Sequence, residues 1–136
     1  LSAKPTETNA AASRAMEELN AVKYRASLLE NELFALKAKN YDGDSDVLLF
    51  EAPMSPDAVR RFADAILSNC TGRIAIFAGD DKEGYKYALC RKDGDLRQLV
   101  KELNAVCHGR GGGKPFFAQG SVAAARAEIE AFFAQN

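Results

Sequence analysis

The stretch Arg73-Ile-Ala-Ile-Phe-Ala-Gly-Asp-Asp-Lys-Glu-Gly-Tyr-Lys-Tyr-Ala-Leu-Cys90 holds two apolar runs separated by an acidic segment between glycines. Arg73–Ala78 reads as a strand, Gly79–Gly84 as a turn, and Tyr85–Cys90 as a second strand in hairpin register with the first. Upstream, Ser55 and Pro56 supply an N-cap and a first-turn proline for a helix through about Cys70. Its apolar face is Val59, Phe62, Ala63, Ile66 and Leu67. Before it, Val47-Leu-Leu-Phe50 makes Asp46–Glu51 a buried strand. Downstream, Asp93-Gly-Asp95 leads into a helix from Leu96 to Val106, with Leu96, Leu99, Val100, Leu103 and Val106 facing inward. A glycine-rich segment, His108 to Gly120, reads as a loop, and Ser121 as the cap of a last helix, Val122 to about Gln135. Strands alternating with helices, with one hairpin among them, predict a small mixed-sheet α/β domain over residues 45–136.

Residues 1–40 have a different character. From Thr6 to Lys39 there is no glycine or proline, and alanine is abundant, which favours a long helix. Ala12, Ala15, Leu19, Val22, Ala26, Leu29, Leu33 and Leu36 follow a 3-4 spacing, a heptad seam flanked by Glu17, Glu18, Lys23, Arg25, Glu30, Glu32 and Lys37. Such a helix either lies partly along its own domain, or protrudes and pairs with another chain or with the missing upstream part. The second arrangement predicts a homodimer through residues 6–39. Leu1 is not an initiator residue, and the expectation is an excised or processed piece of a longer polypeptide.

The composition excludes several classes. An apolar fraction of 47% with 27% charged residues is that of a folded globular chain. There is no uncharged apolar run of membrane-spanning length, so the chain is expected to be cytoplasmic and free of membrane. Three cysteines without a CxxC fit a reducing compartment. A single histidine, His108, makes zinc or another metal cofactor in this chain unexpected. The net charge of −1 opposes a global grip on nucleic acid, but it divides as −3 over residues 1–72 and +2 over residues 73–136. A phosphate partner would therefore meet the second half, and locally.

Four of the five residues from Gly109 to Gly113 lack a Cβ, which permits close approach of a backbone or ligand. Exposed amides there, with Arg110 and Lys114 on either side and the start of a helix at Ser121, would favour an anion. The alternative is a tight crossover in which the glycines pack against the sheet. A nucleotide P-loop is excluded, because His108 and Pro115 stand where that motif needs glycine and Ser or Thr. The dinucleotide fingerprint is excluded because it must follow a strand, whereas this segment follows a helix.

Gly109-Arg-Gly-Gly-Gly-Lys-Pro115 followed by Ala118-Gln-Gly120 resembles the signature segment of the DHHA1 domain family. Such domains close alanyl-tRNA synthetases and the long free-standing alanyl-tRNA editing proteins, and a related version occurs in DHH phosphoesterases. The resemblance covers residues 46–136, and the upstream helix matches the connector placed before such domains. Lys114-Pro115 with Ala118-Gln-Gly120 is similar to the alanyl-tRNA branch. Phe116 and Ser121 depart from the family, which often carries an acidic residue and a further glycine there.

The resemblance implies a C-terminal tRNA-binding and dimerisation domain whose parent is a synthetase or an editing deacylase. Zinc would belong to the parent's editing domain, since HxxxH and CxxxH pairs are absent here. Cys107–His108 has no orienting third residue, so catalysis is not expected of this chain. The candidate nucleic-acid contacts are Arg110, Gly111, Gly112, Gly113, Lys114 and Gln119, widened by Lys92 and Lys101, with Tyr85 or Phe116 as stacking faces. The competing readings are a structural module that dimerises the parent, and an accessory nucleic-acid-binding domain of a DHH-type phosphoesterase.

Overall fold

A computed structural model of the chain describes residues 5–41 and 43–136. It divides into two compact units between Leu33 and Phe34. Helix α1 (Pro5–Ala38) supplies all of the described first unit. Its 34 residues correspond to about 51 Å at about 1.5 Å per residue. From Ala10 to Leu33 no described side chain is buried, and Leu19, Val22, Leu29 and Leu33 are exposed.

The second unit begins with the last turn of α1 and continues through β1 (Val47–Glu51), α2 (Pro56–Leu67), β2 (Ile74–Asp80), β3 (Gly84–Cys90), α3 (Arg97–Val106), β4 (Arg110–Lys114), β5 (Phe117–Val122) and α4 (Arg126–Gln135). The five strands form one mixed sheet in the order β1-β2-β3-β5-β4. β1 and β2 run parallel, joined through α2, and the other neighbours are antiparallel. Parallel neighbours need a crossover, and α2 provides it with its start fixed locally. The Ser55 Oγ accepts from the Ala58 amide at 3.1 Å, and Pro56 opens the first turn.

Side chains alternate across the sheet, so two cores form on its two faces. Ile74, Ile76, Ala88 and Cys90 pack with Val59, Phe62, Ala63 and Ile66 of α2, and with Phe34 and Ala38 of α1. The Phe34 and Phe62 rings stack at 4.9 Å. On the opposite face Ala75, Phe77, Tyr87 and Leu89 pack with Leu96, Val100 and Leu103 around α3 and with Ile129 and Phe132 of α4. Phe62, Phe77 and Tyr87 are fully enclosed. Truncating a ring of this kind to alanine costs about 3–5 kcal/mol.

Two expectations are corrected. The glycine-rich segment is not a loop: Arg110–Lys114 and Phe117–Val122 form a β-hairpin that extends the sheet beyond β3. Three glycines have little strand propensity of their own, and pairing with β5 imposes the conformation. Ser121 does not cap a helix; it lies within β5, opposite Lys86 and Arg110. Helix α4 starts later, after Ala125, which makes no side-chain cap. Its first amide, on Arg126, is instead met by the Asp81 carboxylate in the β2–β3 turn, at 2.8 Å. The positive end of α4 is satisfied by an internal acid, so it does not add to the charge of the glycine segment.

Candidate nucleic-acid interface

Strand β4 is the sheet edge, and all five of its residues are exposed. Its outward N–H and C=O groups therefore have no strand to pair with. Register decides which way its side chains point. Arg110 lies in a row with Ser121, Lys86 and Ala78; Gly112 with Gln119, Ala88 and Ile76; Lys114 with Phe117, Cys90 and Ile74. Ala78, Ile76, Ile74, Ala88 and Cys90 belong to the core that α2 covers. Arg110, Gly112, Lys114, Gln119 and Lys86 thus share the α2 face of the sheet, where the helix no longer shields the edge.

The glycines of the hairpin divide by cause. At Gly111, with φ +148°, a Cβ would lie 2.5 Å from the Gln119 carbonyl oxygen and 2.7 Å from the Tyr87 hydroxyl. Gly113 and Gly120 are closed in the same way by backbone of the partner strand, and Gly109 by Asn104 and Ser121. Packing accounts for all four. Gly112 differs: it has no positive φ, and a Cβ there would meet nothing within 4 Å. Nothing among the described residues requires glycine at this position, which sits between two cations on an open face.

Cations border that face. A groove of about 550 Å³ runs past Gly112 between Arg60, Asp64, Arg91, Lys114 and Phe116. A second, of about 690 Å³, lies at the other end of the strand between Lys86, His108, Arg110, Ser121 and Glu83. Arg60 stands over the Phe117 ring at 5.4 Å, and Arg91 lies 3.6 Å from Asp93. Among the described residues Arg110, Lys114 and Lys86 form no salt bridge, so their charge is available to solvent.

The other candidate residues separate by location. Gln119 donates through Nε2 to the Pro56 carbonyl oxygen at 2.5 Å, fastening the start of α2 to β5. Lys92 is exposed in the β3–α3 connection, and Lys101 is exposed on α3, the helix on the opposite face of the sheet from Gly112. Lys101 is not brought together with Arg110 and Lys114. Tyr85 is buried, with its hydroxyl 2.7 Å from Asp81, so it offers no stacking face; Phe116 is 52% exposed at the hairpin tip. Asn104 carried no expectation, yet it holds the strand in place. Its Nδ2 donates to the Gly111 carbonyl oxygen at 3.2 Å, and its Oδ1 accepts from the Tyr87 hydroxyl at 3.1 Å. Lys86 and Arg60 were also missed, because only the register of a hairpin places them beside Gly112.

Cys70, Cys90 and Cys107 are buried free thiols. Burial pushes the Cys90 thiol up to about 12 and raises that of Cys107. A raised thiol is a poor nucleophile and a poor metal ligand. Among the described residues no cluster of three or more His, Cys, Asp or Glu side chains could hold a metal ion. Among the described residues no helix is long and apolar enough to cross a membrane.

One family model matches the sequence: the DHHA1 domain, over residues 44–135. The chain belongs to the DHHA1 domain family. A comparison with curated proteins found no match. Among solved structures, the DHHA1 fold seen here is similar to the C-Ala domain of alanyl-tRNA synthetase from Aquifex aeolicus. The TM-score is 0.57 at 16% identity, covering 66% of this chain and 85% of that one. It is also similar to RecJ from Thermus thermophilus, solved with Mg2+, with a TM-score of 0.56 at 17% identity. That likeness covers 88% of this chain but 18% of RecJ, so the DHHA1 chain spans a small part of that protein.

Proposed function

We propose that this DHHA1 domain is the tRNA-binding accessory domain of an alanyl-tRNA synthetase-family protein, and that the β4 edge grips the sugar-phosphate backbone. The observation that carries the reading is Gly112, an open glycine without internal cause between the unpaired cations Arg110 and Lys114. A missing side chain lets a phosphate reach main-chain amides, and flanking cations release counterions when they meet it. Arg60, Lys86 and Phe116 border the same face and extend the contact. The chain itself is non-catalytic, without a cofactor, and works with an upstream charging or editing domain that holds zinc. It acts in the cytoplasm, where its three thiols stay reduced, and a second copy of the chain joins it through helix α1.

The test is a salt series of tRNA binding by the chain and by Arg110→Ala/Lys114→Ala. Removing two phosphate contacts should make the slope of log K against log salt shallower by about 1.5 to 2 units. An unchanged slope in a folded double variant defeats the reading. A second reading is favoured by the broader cover of the RecJ likeness: an accessory nucleic-acid domain of a DHH-type phosphoesterase. Single-stranded DNA bound more tightly than tRNA at matched salt would support it.

A further inference from the structure

We infer that the groove at the Arg110 end of β4 holds one unpaired nucleotide and selects a base that carries an exocyclic amine. The inference rests on the reading of the β4 edge as a phosphate-binding face and adds a base-reading subsite to it. Strand register sets the phosphate end. Arg110, Ser121 and Lys86 are partners in one row across the neighbouring strands β4, β5 and β3, and all three are exposed. Two strand spacings of about 4.8 Å put the outer pair about 10 Å apart, with the Ser121 hydroxyl between them. A phosphate over Ser121 is within reach of both long side chains. The rest of the groove does not suit a bare polyanion. It holds about 690 Å³, and Pro53, Met54, Val122 and Glu83 also line it. Among the described residues Glu83 forms no salt bridge, so the nearby cations do not neutralise it.

A carboxylate beside a bound phosphate is repelled unless the ligand itself brings a donor to it. A nucleotide with an amino-bearing base does so. Its exocyclic amine donates to Glu83, its base lies against Met54 and Pro53, and its phosphate lies over Ser121. Only an unpaired base can turn its face to such a wall. His108 forms the remaining side. It closes α3 in a positive-φ turn: the Gly109 amide donates to the Asn104 carbonyl oxygen at 2.9 Å, and His108, just before it, takes φ +52°. Among the described residues it is the one residue other than glycine with positive φ. Glycine makes this cap without penalty, and the chain has glycine at the very next position. An imidazole is kept here against backbone preference, exposed on the groove wall. A flat ring at that place offers a stacking face to the base.

The test titrates the 136-residue chain with free mononucleotides and follows backbone amide NMR shifts. Cytidine monophosphate at millimolar concentration should move the amides of Lys86, Ser121 and Ala123. Uridine monophosphate presents a carbonyl where cytidine has its amine, and should bind about 3-fold more weakly or worse. Glu83→Ala should abolish that preference, and the exposed position leaves the fold intact. His108→Asn keeps a residue that accepts positive φ but removes the ring; cytidine monophosphate should bind about 3-fold more weakly at an unchanged melting temperature. An RNA of four cytidines that displaces the mononucleotide identifies an RNA strand as the source of the unit, and one that fails to displace it identifies a free nucleotide. No shift with cytidine monophosphate, equal binding of the two nucleotides, a preference that survives Glu83→Ala, or full affinity in His108→Asn overturns the inference. If the wild-type chain still binds tRNA with its salt slope reduced by Arg110→Ala/Lys114→Ala, the reading of the β4 edge stands, so the two fail separately.

Discussion

The Asn104 side chain ties α3 to the sheet edge, donating to the Gly111 carbonyl oxygen at 3.2 Å while accepting from the buried Tyr87 hydroxyl at 3.1 Å. Strand β4 has three central residues without side chains, so this amide does the anchoring that packing would do elsewhere. Asn104→Leu should leave the Tyr87 hydroxyl without a partner, destabilising the domain by about 1–3 kcal/mol in chemical denaturation. Amide exchange should quicken first at Gly111 to Gly113. Equal protection across the sheet in the variant would remove Asn104 from this role.

Adjacent glycines should respond oppositely to the same substitution. Gly111→Ala forces a side chain into positive φ against the Tyr87 hydroxyl and β5 backbone, and should destabilise the fold by at least about 1–3 kcal/mol. Gly112→Ala meets open space and should leave the melting temperature unchanged or slightly raised. The same Gly112→Ala should weaken tRNA binding several-fold. Full binding by a folded Gly112→Ala protein would refute approach of phosphate to the main chain.

With α1 pairing two copies as proposed, Leu29→Glu should yield a monomer without melting the sheet; an unmodified chain that is already monomeric would defeat that pairing. Leu29 is 60% exposed and belongs to the unit that contains only helix. A glutamate there places charge in a desolvated seam only when the seam is occupied. Sedimentation and a thermal melt, taken together, read both halves of the expectation.

The Asp81–Tyr85 pair should show in the pH dependence of stability. Burial, then the hydrogen bond to Asp81, raises the Tyr85 hydroxyl from 10.0 to about 12. A group whose folded value is raised contributes stability that is complete below its unfolded value and is lost as pH climbs toward the folded one. Stability should therefore fall between pH 10 and 12, adding to an earlier loss from pH 9 as Cys90 titrates toward about 12. Asp81 has the opposite sign. The Arg126 amide, then the Tyr85 hydroxyl, lower its carboxyl below 3.8, so its contribution is present above 3.8 and fades in stronger acid. Tyr85→Phe should flatten the alkaline limb between pH 10 and 12 and leave the Cys90 part in place. An unaltered limb would show that Tyr85 does not titrate as described.

The elements with strong local signals were legible. Ser55-Pro56 announces α2, the apolar runs announce β1, β2 and β3, and the glycine-free stretch announces α1, because each is written within a few residues. What failed was non-local. Arg110–Lys114 carries no strand signal, and becomes one only because β5 and Asn104 hold it. The start of α4 was misplaced at Ser121 because a nearby serine is the usual cap, whereas the acid that meets the first amide, Asp81, is 45 residues away. The candidate site was half visible: Arg110, Gly112 and Lys114 adjoin in sequence, while Lys86 and Arg60 join them only through register and crossover. Tyr85 was drawn inward by pleat alternation, which a single aromatic in a list does not reveal.

The long-range capping of α4 bears on how the chain is made. A helix that opens at Ala125 without a side-chain cap cannot fix its own first turn, and ten residues are too few to hold helix alone in water. Its start is defined only once the β2–β3 turn exists to receive it. During synthesis this segment follows its acceptor off the ribosome, and it then docks onto Phe77 through Phe133. A circular permutant that moves residues 123–136 ahead of β1 would have to store that helix unfinished, exposing Ile129 and Phe132 until Asp81 arrives. Slower refolding and greater aggregation of such a permutant would follow from chain order alone, with every native contact preserved.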